Sequence, residues 1–168
     1  MRVALQVLLL GAFVSAPAAE EPPQDMEPIQ PNPVAQAIIS RTNAARQAES
    51  RRELTVDYRL NAAAQGLAET MARTGMLSHS ADGRTVDQRV EAQQYRWMYV
   101  AENIAVRSGD GPLSNDELAA KILQQWIESP GHRQNLLDER PQSIGVATAT
   151  TADGAIYAVQ VFAAPLPE

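Results

Sequence analysis

The end of the chain carries the pattern that most limits its fold. Ile144, Val146, Thr148 and Thr150 alternate with Gly145, Ala147 and Ala149. Beyond Asp153-Gly154, Tyr157, Val159 and Val161 alternate with Ala158, Gln160 and Phe162. A period of two in β-branched and aromatic residues is strand periodicity, and Asp-Gly is a preferred hairpin turn. The spacing predicts two antiparallel strands, about Ser143 to Thr150 and Ala155 to Ala163.

The preceding sequence reads as helices. Val34, Ile38, Ile39 and Thr42 mark one face of a first helix running to about Arg52. A second begins near Asp57 or Tyr58. Its apolar positions Leu60, Ala64, Leu67, Ala68 and Met71 follow helical spacing, and Gly75 suits the residue just past its end. Thr85 to Gln94 predicts a third helix with Val86 and Val90 inward. Arg96 to Ile104 reads as extended, and Arg107 to Pro112 as a loop. Ser114 with Glu117 is a capping box opening a helix through about Glu128, with Leu118, Ile122, Gln125 and Trp126 along one side. Pro130-Gly131 breaks it, and His132 to Leu137 forms a further turn or two. Helices around a terminal hairpin give an α+β fold, a three-layer α-β-α sandwich with a mainly antiparallel sheet.

The start of the chain lies outside that domain. Arg2, an apolar run from Val3 to Val14 and the small residues Ala16-Pro17-Ala18 form an export signal, expected to be cleaved after Ala18 or Ala19. The run is too short for a membrane span, so no span is expected in the mature chain. Glu20 to Pro33 is rich in proline and acid and predicts an unstructured linker, leaving residues 34–168 as the domain. The expected location is the periplasm or the extracellular space. Without Arg2 the chain has 13 basic against 20 acidic side chains. That balance argues against nucleic-acid partners, which need basic surface. There is no cysteine, so the fold stands on its core rather than on disulfides.

The chain has only two histidines, and each sits beside turn-forming residues. His79 lies in Leu77-Ser78-His79-Ser80-Ala81-Asp82-Gly83, and His132 in Ser129-Pro130-Gly131-His132-Arg133. Between them is Glu102-Asn103-Ile104-Ala105. Two imidazoles and a carboxylate are the parts of a polar site. They are also what a fold uses to hydrogen-bond its turns, and Glu102 or Asn103 can hold a loop in the same way. Trp126, Trp97, Tyr95 and Tyr99 read as packing. Arg133 reads as an ion-pair or carbonyl-capping residue. Ser78 and Ser129 lack a nucleophile-elbow context, so a serine hydrolase has no support.

These motifs together resemble the bacterial branch of the CAP superfamily, the cysteine-rich secretory, antigen 5 and pathogenesis-related proteins. The resemblance is carried by Leu77-Ser78-His79, Asp82-Gly83-Arg84-Thr85, Arg89, Glu102-Asn103-Ile104-Ala105, Trp126, Ser129-Pro130-Gly131-His132-Arg133, Asn135-Leu136-Leu137, Ile144-Gly145-Val146 and Tyr157-Ala158-Val159-Gln160-Val161-Phe162. It implies an α-β-α sandwich, a secreted or periplasmic module, and a cleft where His and Glu side chains converge. By that resemblance His79, Glu102 and His132 are cleft residues, with Glu128 at the edge. His79 and His132 are the candidate ligands for a weakly held Zn²⁺ or other divalent cation. No cofactor is required. The sequence departs from the family where Leu67 replaces a histidine common in relatives, and at Gln94-Tyr95 in place of the usual Gly-Tyr.

The leading expectation is a non-catalytic module that binds a small or lipid-like molecule, or an envelope protein. The alternatives are a metal-assisted hydrolase, with Glu102 acting on a water and a peptide or envelope component as substrate, and a purely structural envelope role. Mass spectrometry of protein from its native envelope should show an N-terminus at Ala19 or Glu20; an intact Met1 would rule out the cleavage.

Overall fold

The computed structural model describes residues 28–167. Its elements are α1 (Pro33–Ala48), β1 (Thr55–Val56), α2 (Tyr58–Thr74), α3 (Val86–Ala92), β2 (Trp97–Arg107), α4 (Asn115–Glu128), α5 (Pro130–Leu137), β3 (Ser143–Thr150) and β4 (Ile156–Pro165). The sheet runs β1-β3-β4-β2. The expected hairpin is present, with Ile144 opposite Phe162 and Val146 opposite Gln160. The strand before α4 pairs antiparallel with β4 along its whole length. Helices cover both faces, giving the α+β sandwich that the periodicity predicts.

Alternation sorts the core into two halves. Ala105, Ile144, Val146, Ala158 and Phe162 pack against α1, α4 and α5, with Ile38, Ile122 and the fully buried Trp126. Ile104, Ala147, Val159, Val161 and Ala163 face α2 and α3, against Leu60, Leu67, Met71 and Val90. Leu67 has no exposed surface.

Five boundaries differ from the sequence reading, each for a local reason. The first helix stops at Ala48, because Arg46 turns its side chain back onto the Arg52 carbonyl at 2.8 Å and its own carbonyl accepts from the Arg51 amide at 2.8 Å. The segment read as a loop from Arg107 begins as strand, since Arg107 still pairs with Ile156. Pro130 does not merely break a helix but opens α5 at its first position, where the missing N–H is not needed. Thr55–Val56 forms a short parallel strand beside Ser143–Ile144, so the sheet is mixed rather than purely antiparallel. Finally, the linker reading does not extend to Pro33. Ile29 accepts a hydrogen bond from Asn61 at 3.1 Å, Asn32 caps α1 and bonds Thr148 at 2.9 Å, and Pro33 is helical. Residues 20–27 of that segment, and the export signal, lie outside the described residues.

Side chains cover much of the sheet's two edges. Beyond the short β1, Asn61 accepts from the Val146 amide at 3.0 Å and Asn32 donates to the Thr148 carbonyl at 3.2 Å. Along β2, Asn135 donates to the Glu102 carbonyl at 3.2 Å and the Trp126 indole to the Ile104 carbonyl at 3.0 Å. Edge groups paired in this way are unavailable to another strand.

Gly145 is the tightest point of the helix–sheet packing. A Cβ there would overlap the backbone of Leu60 and Asn61 at the start of α2. Neither is the flexible end of a side chain, so the overlap has no rotamer escape. Gly145→Ala is expected to cost about 3 kcal/mol or to prevent folding, read as a fall in the urea midpoint at unchanged slope.

Candidate functional site

Glu102 and Asn103 are consecutive on β2, and a strand sends successive side chains to opposite faces. Glu102 therefore reaches the α2–α3 layer and Asn103 the α1–α4–α5 layer. Each is the hub of a buried polar cluster, and each cluster holds one of the two histidines.

On the first face, the Glu102 carboxylate is almost wholly buried. Its Oε1 lies 2.8 Å from His79 Nδ1, and its Oε2 accepts from Arg89 Nη2 at 2.6 Å. Arg89 is itself only 3 % exposed, so this ion pair is desolvated and holds only because the geometry is close on both sides. The other terminal nitrogen of Arg89 donates to the His79 carbonyl at 3.1 Å, the Arg84 carbonyl at 2.8 Å and Asp82 Oδ1 at 3.0 Å. One guanidinium thus fixes both the carboxylate and the loop that presents His79. The local sequence explains the placement. Gly75 ends α2 in a left-handed conformation at φ 70°, and Thr85 with Gln88 forms the capping box that starts α3 and carries Arg89 inward.

On the second face, Asn103, Gln160 and Thr42 have no exposed surface. Asn103 Nδ2 donates to the His132 carbonyl at 3.1 Å and to Gln160 Oε1 at 3.3 Å. Gln160 Nε2 donates to Thr42 Oγ1 at 2.8 Å, and Asn135 Nδ2 donates to Asn103 Oδ1 at 3.0 Å. The chain of bonds ties α1, β4, β2 and α5 together at the turn bearing His132. Arg46, fully buried, secures the far end of α5 by donating to the Leu136 carbonyl at 2.8 Å and the Asp138 carbonyl at 2.9 Å. Burial among these groups lowers the pKa of Arg46.

The His132 pKa is lowered, first by burial and then by the charge of the neighbouring His79. His79 is the more open ring, its side chain 57 % exposed. The structure thus places His79 on Glu102, and the His132 carbonyl on the neighbouring Asn103. Glu128 ends α4 exposed, its carboxylate accepting from Gln124 Nε2 at 2.8 Å, and no hydrogen bond or ion pair among the described residues joins it to the other three. Among the described residues no group of three His, Cys, Asp or Glu side chains is arranged to hold a metal ion.

Sequence reading alone assigned no role to Arg89, Thr42, Asn135 or Gln160. One signal was available. Thr42 and Gln160 are polar residues inside otherwise apolar periodic runs, and buried polar groups require partners. Arg133 pairs with Glu49 at 2.8 Å on the surface, as expected of an ion-pair residue. Glu102 accepts from side chains rather than from loop amides.

The family model for the cysteine-rich secretory protein (CAP) family matches residues 39–162, and the chain belongs to that family. Among solved structures it is similar to an outer surface protein of Borrelia burgdorferi, at 19% identity and TM-score 0.71, covering 82% of this chain and 97% of the other. It is similar also to an extracellular protein containing an SCP domain from Bacillus anthracis, at 27% identity and TM-score 0.65, over 82% of this chain and 45% of that one. A third similarity is to a cysteine-rich secretory protein of Staphylococcus aureus, at 16% identity and TM-score 0.59, over 80% and 39%. The chain spans less than half the length of the last two. No curated protein matches it.

The His132 shift has a pH consequence. Its folded pKa lies below the unfolded imidazole value, so between the two the unfolded chain binds more protons. Stability from this group is full above the ordinary imidazole range and is lost as pH falls toward the folded pKa. Urea melts at about pH 7.5 and 5.5, bracketing the unfolded imidazole pKa, should show a loss that His132→Gln reduces. An equal loss in both proteins would mean the group does not contribute.

Proposed function

We propose that the protein is an exported, non-catalytic binding module, and that His79, Glu102 and His132 form the polar end of its ligand cleft. Extracellular and outer-surface relatives support export, and no described helix is long and apolar enough to cross a membrane. The observation that carries the binding reading is the state of Glu102. Both of its oxygens are occupied, one by His79 and one by a buried arginine. A general base or a cation ligand must reach the reacting group, and this carboxylate is buried, its side chain 2 % exposed, behind His79 and Arg89. Glu102 therefore orients His79 and does not act on water. The residues available for Zn²⁺ are two imidazoles, a thin donor set for an ion that takes four ligands. The occupant is a small or lipid-like molecule, or a partner protein of the envelope.

Native mass spectrometry and metal analysis of protein from its own envelope test this. Expected are substoichiometric zinc, no zinc-dependent hydrolysis of casein, and a non-covalently held small molecule that is absent from the His79→Ala, His132→Ala double variant. Stoichiometric zinc lost in that variant, together with zinc-dependent hydrolysis, would select the hydrolase instead.

A further inference from the structure

Ile29, Val56, Tyr58 and Leu166 are large apolar side chains left exposed. Contacts connect the places where they sit. The Ile29 carbonyl accepts from Asn61 Nδ2 at 3.1 Å, in the first turn of α2. Val56 and Tyr58 flank Asp57, the residue that caps that helix. Arg59 donates to Asp57 at 2.7 Å and lies over the rings of Tyr58 and Tyr95, its guanidinium carbon 5.8 Å and 4.7 Å from their centres. Arg59, Tyr95, Arg96 and Leu166 then line one open cavity of about 300 Å³. The Leu166 amide donates to the Arg96 carbonyl at 3.0 Å and holds that wall in place.

This surface carries a cation without a partner. Arg96 is exposed, and its guanidinium makes no hydrogen bond or ion pair among the described residues. The acids beside it are engaged elsewhere. Asp57 is held by Arg59, and Glu91, on the adjoining cavity, accepts from the Trp97 indole at 3.2 Å.

The chain immediately before the described residues has the complementary composition. Glu20 to Glu27 reads Glu-Glu-Pro-Pro-Gln-Asp-Met-Glu, four carboxylates with two prolines and a methionine and no cation. Eight residues of proline-rich chain span about 25 Å at ~3.1 Å per residue. Ile29 is already fixed to Asn61, and Arg59 lies two residues from Asn61 on the same helix. The segment is therefore long enough to reach the Arg96 cavity from its own point of attachment.

We propose that residues 20–27 fold back on their own domain, with Pro22, Pro23 and Met26 against Tyr58 and Leu166 and the carboxylates paired with Arg96. Proline-rich chain suits an aromatic surface because its backbone is restrained before it docks and loses little freedom on docking. The four acids suit a lone exposed guanidinium, which presents a fork of donors to a carboxylate. The surface uses none of His79, Glu102 and His132, and its occupation does not depend on the binding reading.

Because the chain has no cysteine, a single spin label tests this. A nitroxide on Gln24→Cys in the exported chain should broaden the backbone amide signals of Trp97 and Leu166 several-fold more than that of Leu123 on α4. Arg96→Glu should remove most of that difference while the rest of the spectrum stays in place. The same loss is expected, without any change in the described domain, when Glu20, Glu21, Asp25 and Glu27 are converted to their amides. Equal broadening at Leu123, or a pattern that either set of changes leaves intact, overturns the proposal. Spin-labelled chain mixed with ¹⁵N-labelled, cysteine-free chain should give no such pattern; its appearance there assigns the surface to a second copy and overturns the proposal as well.

Discussion

Two adjacent residues on one strand hold the structure's polar centre. Glu102 and Asn103 point to opposite faces of β2, and each ends in a cluster almost free of water. The energetics explain why neither can be exchanged alone. Removing Arg89 would leave a buried carboxylate without its cation, a loss of about 3–5 kcal/mol in comparable pairs. Removing Asn103 would strand partners in both directions, on the fully buried Gln160 and the half-buried Asn135. The apolar halves of the sandwich supply the bulk of the burial. The polar hubs fix how the helical layers sit against the sheet.

That arrangement also accounts for the motifs as a set. Glu-Asn-Ile-Ala supplies both hubs, and its Ile104 carbonyl receives the Trp126 indole. Asn135, three residues beyond His132, bonds both the Asn103 side chain and the Glu102 carbonyl. Gln160 lies opposite Asn103 in the β2–β4 register and continues the network to Thr42. Segments far apart in the chain are therefore parts of one hydrogen-bonded unit, and their common order along the sequence reflects that unit rather than separate tasks. The surface of the site reduces to two imidazoles, each set by its own layer.

Much of the fold was legible because periodicity is local. The hairpin, the capping box at Ser114 and the stripe on α2 each follow from residues a few positions apart, and each is present. The boundaries that were misread depend on distant partners. Thr55–Val56 is a strand only because Ser143–Ile144 lies beside it. Pro28 to Pro33 has the composition of a linker, yet Ile29 and Asn32 dock because Asn61 and Thr148 offer them hydrogen bonds. Of the site, the sequence marked His79, Glu102 and His132 as unusual polar residues beside turns. It left undecided whether they were structural or functional, and the geometry shows the structural role of Glu102. Glu102 is structural in its contacts, and those contacts set the state in which His79 meets solvent.

By itself the sequence determined the class of fold, the caps at Gly75 and Ser114, the presence of the hairpin and the family, since these rest on short-range pattern and on motifs in order. Tertiary structure alone decided that Arg89 neutralises Glu102 and that one nitrogen of His132 is buried without a partner among the described residues. A charge partner and a buried atom are defined by what lies across the fold, and spacing along the chain does not encode them.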